Sequence, residues 1–99
     1  HMEKSKKKII EHCLRAVGKT LYISPVKVLK PNKDGLSSPT LKAKKVALAL
    51  MKEKSIPYEE GVNILNYSKN GAATVLRSLK ARPENEEILG EARMHYQQY

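Results

Sequence analysis

Pro57-Tyr58-Glu59-Glu60-Gly61-Val62-Asn63-Ile64-Leu65-Asn66-Tyr67, continued by Ser68-Lys69-Asn70-Gly71-Ala72-Ala73-Thr74-Val75-Leu76-Arg77-Ser78-Leu79-Lys80-Ala81-Arg82, reads as two short helices joined by a tight turn. At about 100° per residue, Ala72, Val75, Leu76 and Leu79 of the second helix fall together and are expected to face a core. Asn70, Thr74, Arg77 and Ala81 then line the opposite side, with Ala73, Lys80 and Ser78 at its borders. Small and hydrogen-bonding side chains on an outward stripe suit contact with base edges in a groove. Residues 66–82 carry Lys69, Arg77, Lys80 and Arg82 with no acid, so charge singles out the segment that periodicity does.

The rest of the chain supports a small helical module. Its 99 residues suffice for one core but leave little for a deep catalytic cleft. With no Trp, no Phe and five Tyr, that core must rest on Leu, Ile, Val and Ala, which favours an all-α fold. His1-Met2 reads as a cloning remnant, leaving one domain over 3–99 that can be a piece of a longer protein. The net charge of +9 is uneven: residues 1–54 hold 14 Lys and Arg against 4 acids, and residues 55–99 hold 5 against 6. A localised basic field attracts polyanions through Coulomb forces and counterion release. A single cysteine, no signal-peptide layout and no apolar run of membrane-spanning length point to a cytoplasmic protein without a membrane partner.

Outside the central unit, Ile9, Ile10, Cys13, Leu14 and Val17 predict a first helix over 6–17, with Gly18 as its C-terminal cap and an extended stretch over 19–23. Cys13 lies in that apolar stripe, which makes it a structural cysteine despite the neighbouring His12, and His95 has no partner at ligand spacing. Ser24-Pro25 predicts an N-capped single turn. The prolines, glycine and short polar residues of 30–40 predict a loop flanked by lysines. A central helix follows over 41–54, with Ala43, Val46, Ala47 and Leu50 inward and Lys44, Lys45 and Lys52 outward around Leu48. The next helix starts near Pro57, and its Gly61 implies close approach of a neighbouring helix. Pro83 ends the basic helix. Glu84, Glu86 and Glu87 open a last helix that packs Ile88, Leu89 and Ala92, before a frayed tail over 96–99. No glycine-rich phosphate loop and no Ser-His-Asp, Cys-His or paired-carboxylate arrangement occurs, so enzymatic activity, cofactors, metal and a small-molecule substrate are not expected.

This order of parts resembles the C-terminal DNA-binding domain of the bacterial replication initiator DnaA, within the Trp-repressor-like superfamily. Lys42-Ala43-Lys44-Lys45-Val46-Ala47-Leu48-Ala49-Leu50 is similar to the family's Arg-Pro-Arg-Gln followed by an apolar helix, and Val75-Leu76 is similar to its recognition-helix core. The likeness spans roughly residues 6–96 by pattern and spacing. The family's Gly-Gly-Arg-Asp-His-Thr-Thr is replaced here by a stretch ending at Thr74, which alone matches. The resemblance implies a compact bundle of five to six helices containing a helix-turn-helix, with DNA as partner but not the initiator's own sites.

The expected function is therefore double-stranded DNA binding, with a recognition helix over about 70–82 in the major groove. Asn70, Ala73, Thr74 and Arg77 are the expected base contacts. Lys30, Lys33, Lys42, Lys44, Lys45, Ser68, Lys69 and Lys80 are the expected backbone contacts. Such a domain would target a replication-initiator-like, transposase-like or regulatory protein to DNA, with other domains of that parent as further partners. The alternative is a protein-interaction module whose basic face binds an acidic partner. RNA binding would want aromatic side chains among the basic ones, and only Tyr58 and Tyr67 lie near the unit.

Overall fold

The computed structural model describes residues 2–31, 38–67, 75 and 83–99. Five helices are described: α1 (Met2–Leu21), α2 (Pro25–Val28), α3 (Ser38–Glu53), α4 (Tyr58–Ile64) and α5 (Pro83–Tyr96), with no strand among the described residues. α3 is the centre, packed by α1, α2, α4 and α5, while α1 also lies along α5.

One core joins Cys13, Leu14, Ala16 and Val17 of α1, Val28 of α2, six residues of α3, and Leu89 and Ala92 of α5, together with Ile56, Leu65 and Val75. Val75 is helical and 2% exposed, which agrees with its expected inward position. Ala72, Leu76 and Leu79 lie outside the described residues. Each fully buried Leu or Val contributes roughly 1.5–3 kcal/mol relative to exposure. Cys13 is fully buried, and burial, partly countered by nearby Lys54, pushes its thiol up to about 12, so it packs rather than reacts.

Three helix ends share one geometry. Tyr22 (φ 55°), Ser55 (φ 70°) and Asn66 (φ 59°) take the left-handed conformation. The next N–H in each case reaches back to the carbonyl five residues earlier: Ile23 to Gly18, Ile56 to Met51 and Tyr67 to Val62, all at 3.0 Å. This is a Schellman closure, and the residue after the left-handed one is apolar and turned to the core each time.

The geometry corrects two readings at the end of α1. The helix continues to Leu21, so residues 19–21 are helical rather than extended, and Gly18 lies inside the helix rather than capping it. A Cβ at Gly18 would stand 2.5 Å from the Ile23 carbonyl oxygen, so the glycine admits the returning backbone. α2 forms as expected: Ser24 Oγ accepts from the Val26 N–H at 3.3 Å and Pro25 occupies the first turn. α3 begins at Ser38, which removes 38–40 from the expected loop; residues 32–37 lie outside the described residues.

The tail is docked rather than frayed. Backbone N–H groups of Gln97, Gln98 and Tyr99 bond to the Arg93, His95 and Tyr96 carbonyls. The His12 ring lies edge-on to Tyr96 at 6.0 Å and stacks with Tyr99 at 5.1 Å.

Candidate nucleic-acid interface

The face expected to meet DNA is built on α3, α4 and the chain leaving them. α3 buries a wide arc. Ala43, Val46, Ala47 and Leu50 form one stripe, as expected, and Lys44, Leu48 and Met51 form a second, with none of the seven more than 1% exposed. The second stripe faces α4, where a Cβ on Gly61 would sit 2.7 Å from Leu48 Cδ1 and 3.9 Å from Met51 Sδ. The close approach inferred from Gly61 is present.

Lys44 is the main correction. Expected outward among the phosphate-holding lysines, it is fully buried, and its ammonium donates to the Leu65 carbonyl at the end of α4. The ammonium also stands 5.5 Å from the centre of the Tyr67 ring. Loss of hydration lowers its pKa to about 8. The helical repeat explains the placement: Lys44 precedes Leu48 by one turn, so docking α4 against Leu48 covers Lys44 as well. Lys44 therefore does not belong to the solvent-facing cationic set. Tyr67 Oη is buried beside it with no hydrogen-bond partner among the described residues, and burial, then neighbouring Tyr58, pushes that phenol up.

The other described lysines of the expected interface remain accessible. Lys30 is exposed and Lys45 half-buried. Lys42 is half-buried with its ammonium 3.8 Å from a Glu84 carboxylate oxygen. Lys42 and Lys45 line an open cleft of about 220 Å³ with Ser38, Leu41 and Asn85 at the start of α3. Lys33, Ser68, Lys69, Asn70, Ala73, Thr74, Arg77 and Lys80 lie outside the described residues.

Asn66 was not anticipated as a site residue. Its Nδ2 donates to the Leu29 carbonyl at 2.6 Å, joining the end of α4 to the end of α2. Asparagine tolerates the left-handed cap, which is the local signal that could have found it. Lys6 of α1 pairs with Glu60 of α4 at 3.1 Å.

Comparison with family models, with curated proteins and with solved structures finds no match. The likeness to the initiator's DNA-binding domain rests on the residues quoted above. Among the described residues, no helix is long and apolar enough to cross a membrane, and no three His, Cys, Asp or Glu side chains gather as a metal set.

Proposed function

We propose that the chain is a double-stranded DNA-binding module of helix-turn-helix type, in which the helix over about 70–82 enters the major groove. Asn70, Ala73, Thr74 and Arg77 meet base edges, while Lys30, Lys33, Lys42, Lys45, Ser68, Lys69 and Lys80 hold phosphates. The observation that carries this reading is the Asn66–Leu29 hydrogen bond. It roots Lys30, where the basic loop begins, beside the turn that leads into Ser68 and Lys69. Lys30 and Tyr67, far apart in sequence, thus stand close together where the two basic stretches begin. Further support comes from the acid-free run over 66–82, and from a short α4 closed by a left-handed residue and followed by buried, helical Val75. The module serves to target a replication-initiator-like, transposase-like or regulatory protein.

Selection from a randomised duplex pool at two salt concentrations tests the reading. Arg77→Ala is expected to cost about 1–3 kcal/mol on the selected site and to relax one position of the motif, whereas Lys45→Ala weakens all sequences about equally and lowers the salt slope by about 1. Absence of any enriched motif, with affinity that collapses as salt rises, would replace this reading with the basic module that binds an acidic partner.

A further inference from the structure

The outward stripe of α1 carries a second cationic surface. At about 100° per residue, Lys8, His12, Arg15 and Lys19 fall within an arc of about 60° and extend about 16 Å along the helix, with Tyr22 following just past its end. Lys8, Arg15 and Lys19 are exposed. The docked tail adds Tyr99, stacked on His12, with Lys19 Nζ 5.3 Å from the Tyr99 ring centre and Lys54 Nζ 4.4 Å from that of Tyr96. The acid on its flank is Glu11, paired with Arg15 at 2.9 Å. Cations and rings alternate along this surface.

Tyr22 gives this surface its meaning. It occupies the left-handed cap of α1 at φ 55°, where glycine carries no steric penalty, and it is 95% exposed. The ring therefore gains nothing from packing, and both its faces are open to water. Backbone strain retained without a packing return points to a role in contact with something outside the fold. Nearby on α2, Val26 is 71% exposed and Lys27 also faces solvent, so the patch continues past the turn.

We infer that this stripe binds single-stranded nucleic acid, with an unpaired base stacked on Tyr22 and the strand's phosphates along Lys19, Arg15 and Lys8. An open ring face fits an unpaired base, because duplex bases already cover one another, and cations interleaved with rings are the arrangement that sequence-tolerant strand binding uses. None of these residues belongs to the proposed duplex interface, so either reading can fail alone.

The test is fluorescence anisotropy of the full chain with a short labelled oligothymidylate, and separately with a blunt duplex. Tyr22→Gly and Tyr22→Asn remove the ring while suiting the left-handed backbone, so helix content by circular dichroism should be retained. Each is expected to weaken oligothymidylate binding about five-fold or more, with Tyr22→Phe near wild type and duplex affinity unchanged by all three. Unaltered oligothymidylate affinity in Tyr22→Gly would overturn the inference. So would equal displacement of the strand by an acidic peptide, which would show a surface that responds to charge alone.

Discussion

α3 is held by α4 along one seam and by α5 along another, and the two seams are built on different physics. Against α4 the contact is dry and close: Gly61 lets the helix approach Leu48, and the Lys44 ammonium bonds to a carbonyl inside the core. Against α5 the inner contact is Leu89 and Ala92, while the rim is wet, with the Arg93 guanidinium reaching both oxygens of Glu53 at 2.8 and 2.6 Å and Lys42 facing Glu84. Gly90 of α5 has nothing within 4 Å of where a Cβ would be. A side chain at Gly61 would thus press on Leu48, whereas one at Gly90 would stand in open space. The closer seam ends at Leu65, whose carbonyl accepts from the Lys44 ammonium.

The largest test of that contrast is at Lys44. Lys44→Ala should cost about 2–5 kcal/mol by leaving a cavity, whereas Lys44→Met should remain within about 1.5 kcal/mol of wild type because volume is kept and the buried charge removed. Urea denaturation gives both values, and a loss in Lys44→Ala no larger than that of a surface lysine would place the side chain outside the core. The same pair carries a pH signature. With Lys44 at about 8 in the fold against 10.5 ordinarily, the unfolded chain binds the proton more tightly across that window. Its contribution to stability accordingly rises as pH climbs from about 8 towards 10.5. Cys13, raised from 9.0, acts in the opposite sense at higher pH, so the readout is wild type minus Lys44→Met between about 8 and 9.

A smaller effect separates the two glycines. Gly90→Ala should stabilise by about 1 kcal/mol through helix propensity alone. At Gly61 the same methyl meets Leu48, and overpacking, typically about 1–3 kcal/mol, cancels or reverses that gain. Equal melting-temperature increases for the two variants would erase the steric difference between the two glycines. The smallest change is expected at the wet rim: Arg93→Ala should cost under about 1 kcal/mol, and less in high salt, because the pair is partly exposed and screened.

What the sequence made legible follows from which signals are local. The apolar stripe of α1, the Ser24-Pro25 cap, the acidic first turn of α4 and the Pro83 start of α5 each depend on residues within a turn or two, and each is present. The errors needed a distant partner. Lys44 looks like a solvated lysine until Leu65, 21 residues later, brings a carbonyl to it. Gly18 looks like a cap until the Ile23 carbonyl folds back over it, and the tail looks loose until His12 of α1 receives its rings. Of the expected interface, exposure of Lys30 was legible from its loop position, while burial of Lys44 depended on how α4 docks.

The hydrogen bond from Asn66 to Leu29 has a consequence for binding strength. By holding Lys30 and Tyr67 side by side, it would, on the proposed duplex-binding reading, let the basic positions on either side act as a bivalent ligand. Under that reading, once one set of contacts forms on a duplex, the other would meet it at an effective concentration on the order of millimolar. Engagement of the second set would then be effectively intramolecular, and the free energy of orienting the protein on DNA would be spent on the first contact alone. Individually weak phosphate contacts would then combine by avidity, and neutralising either set would be expected to weaken binding through both.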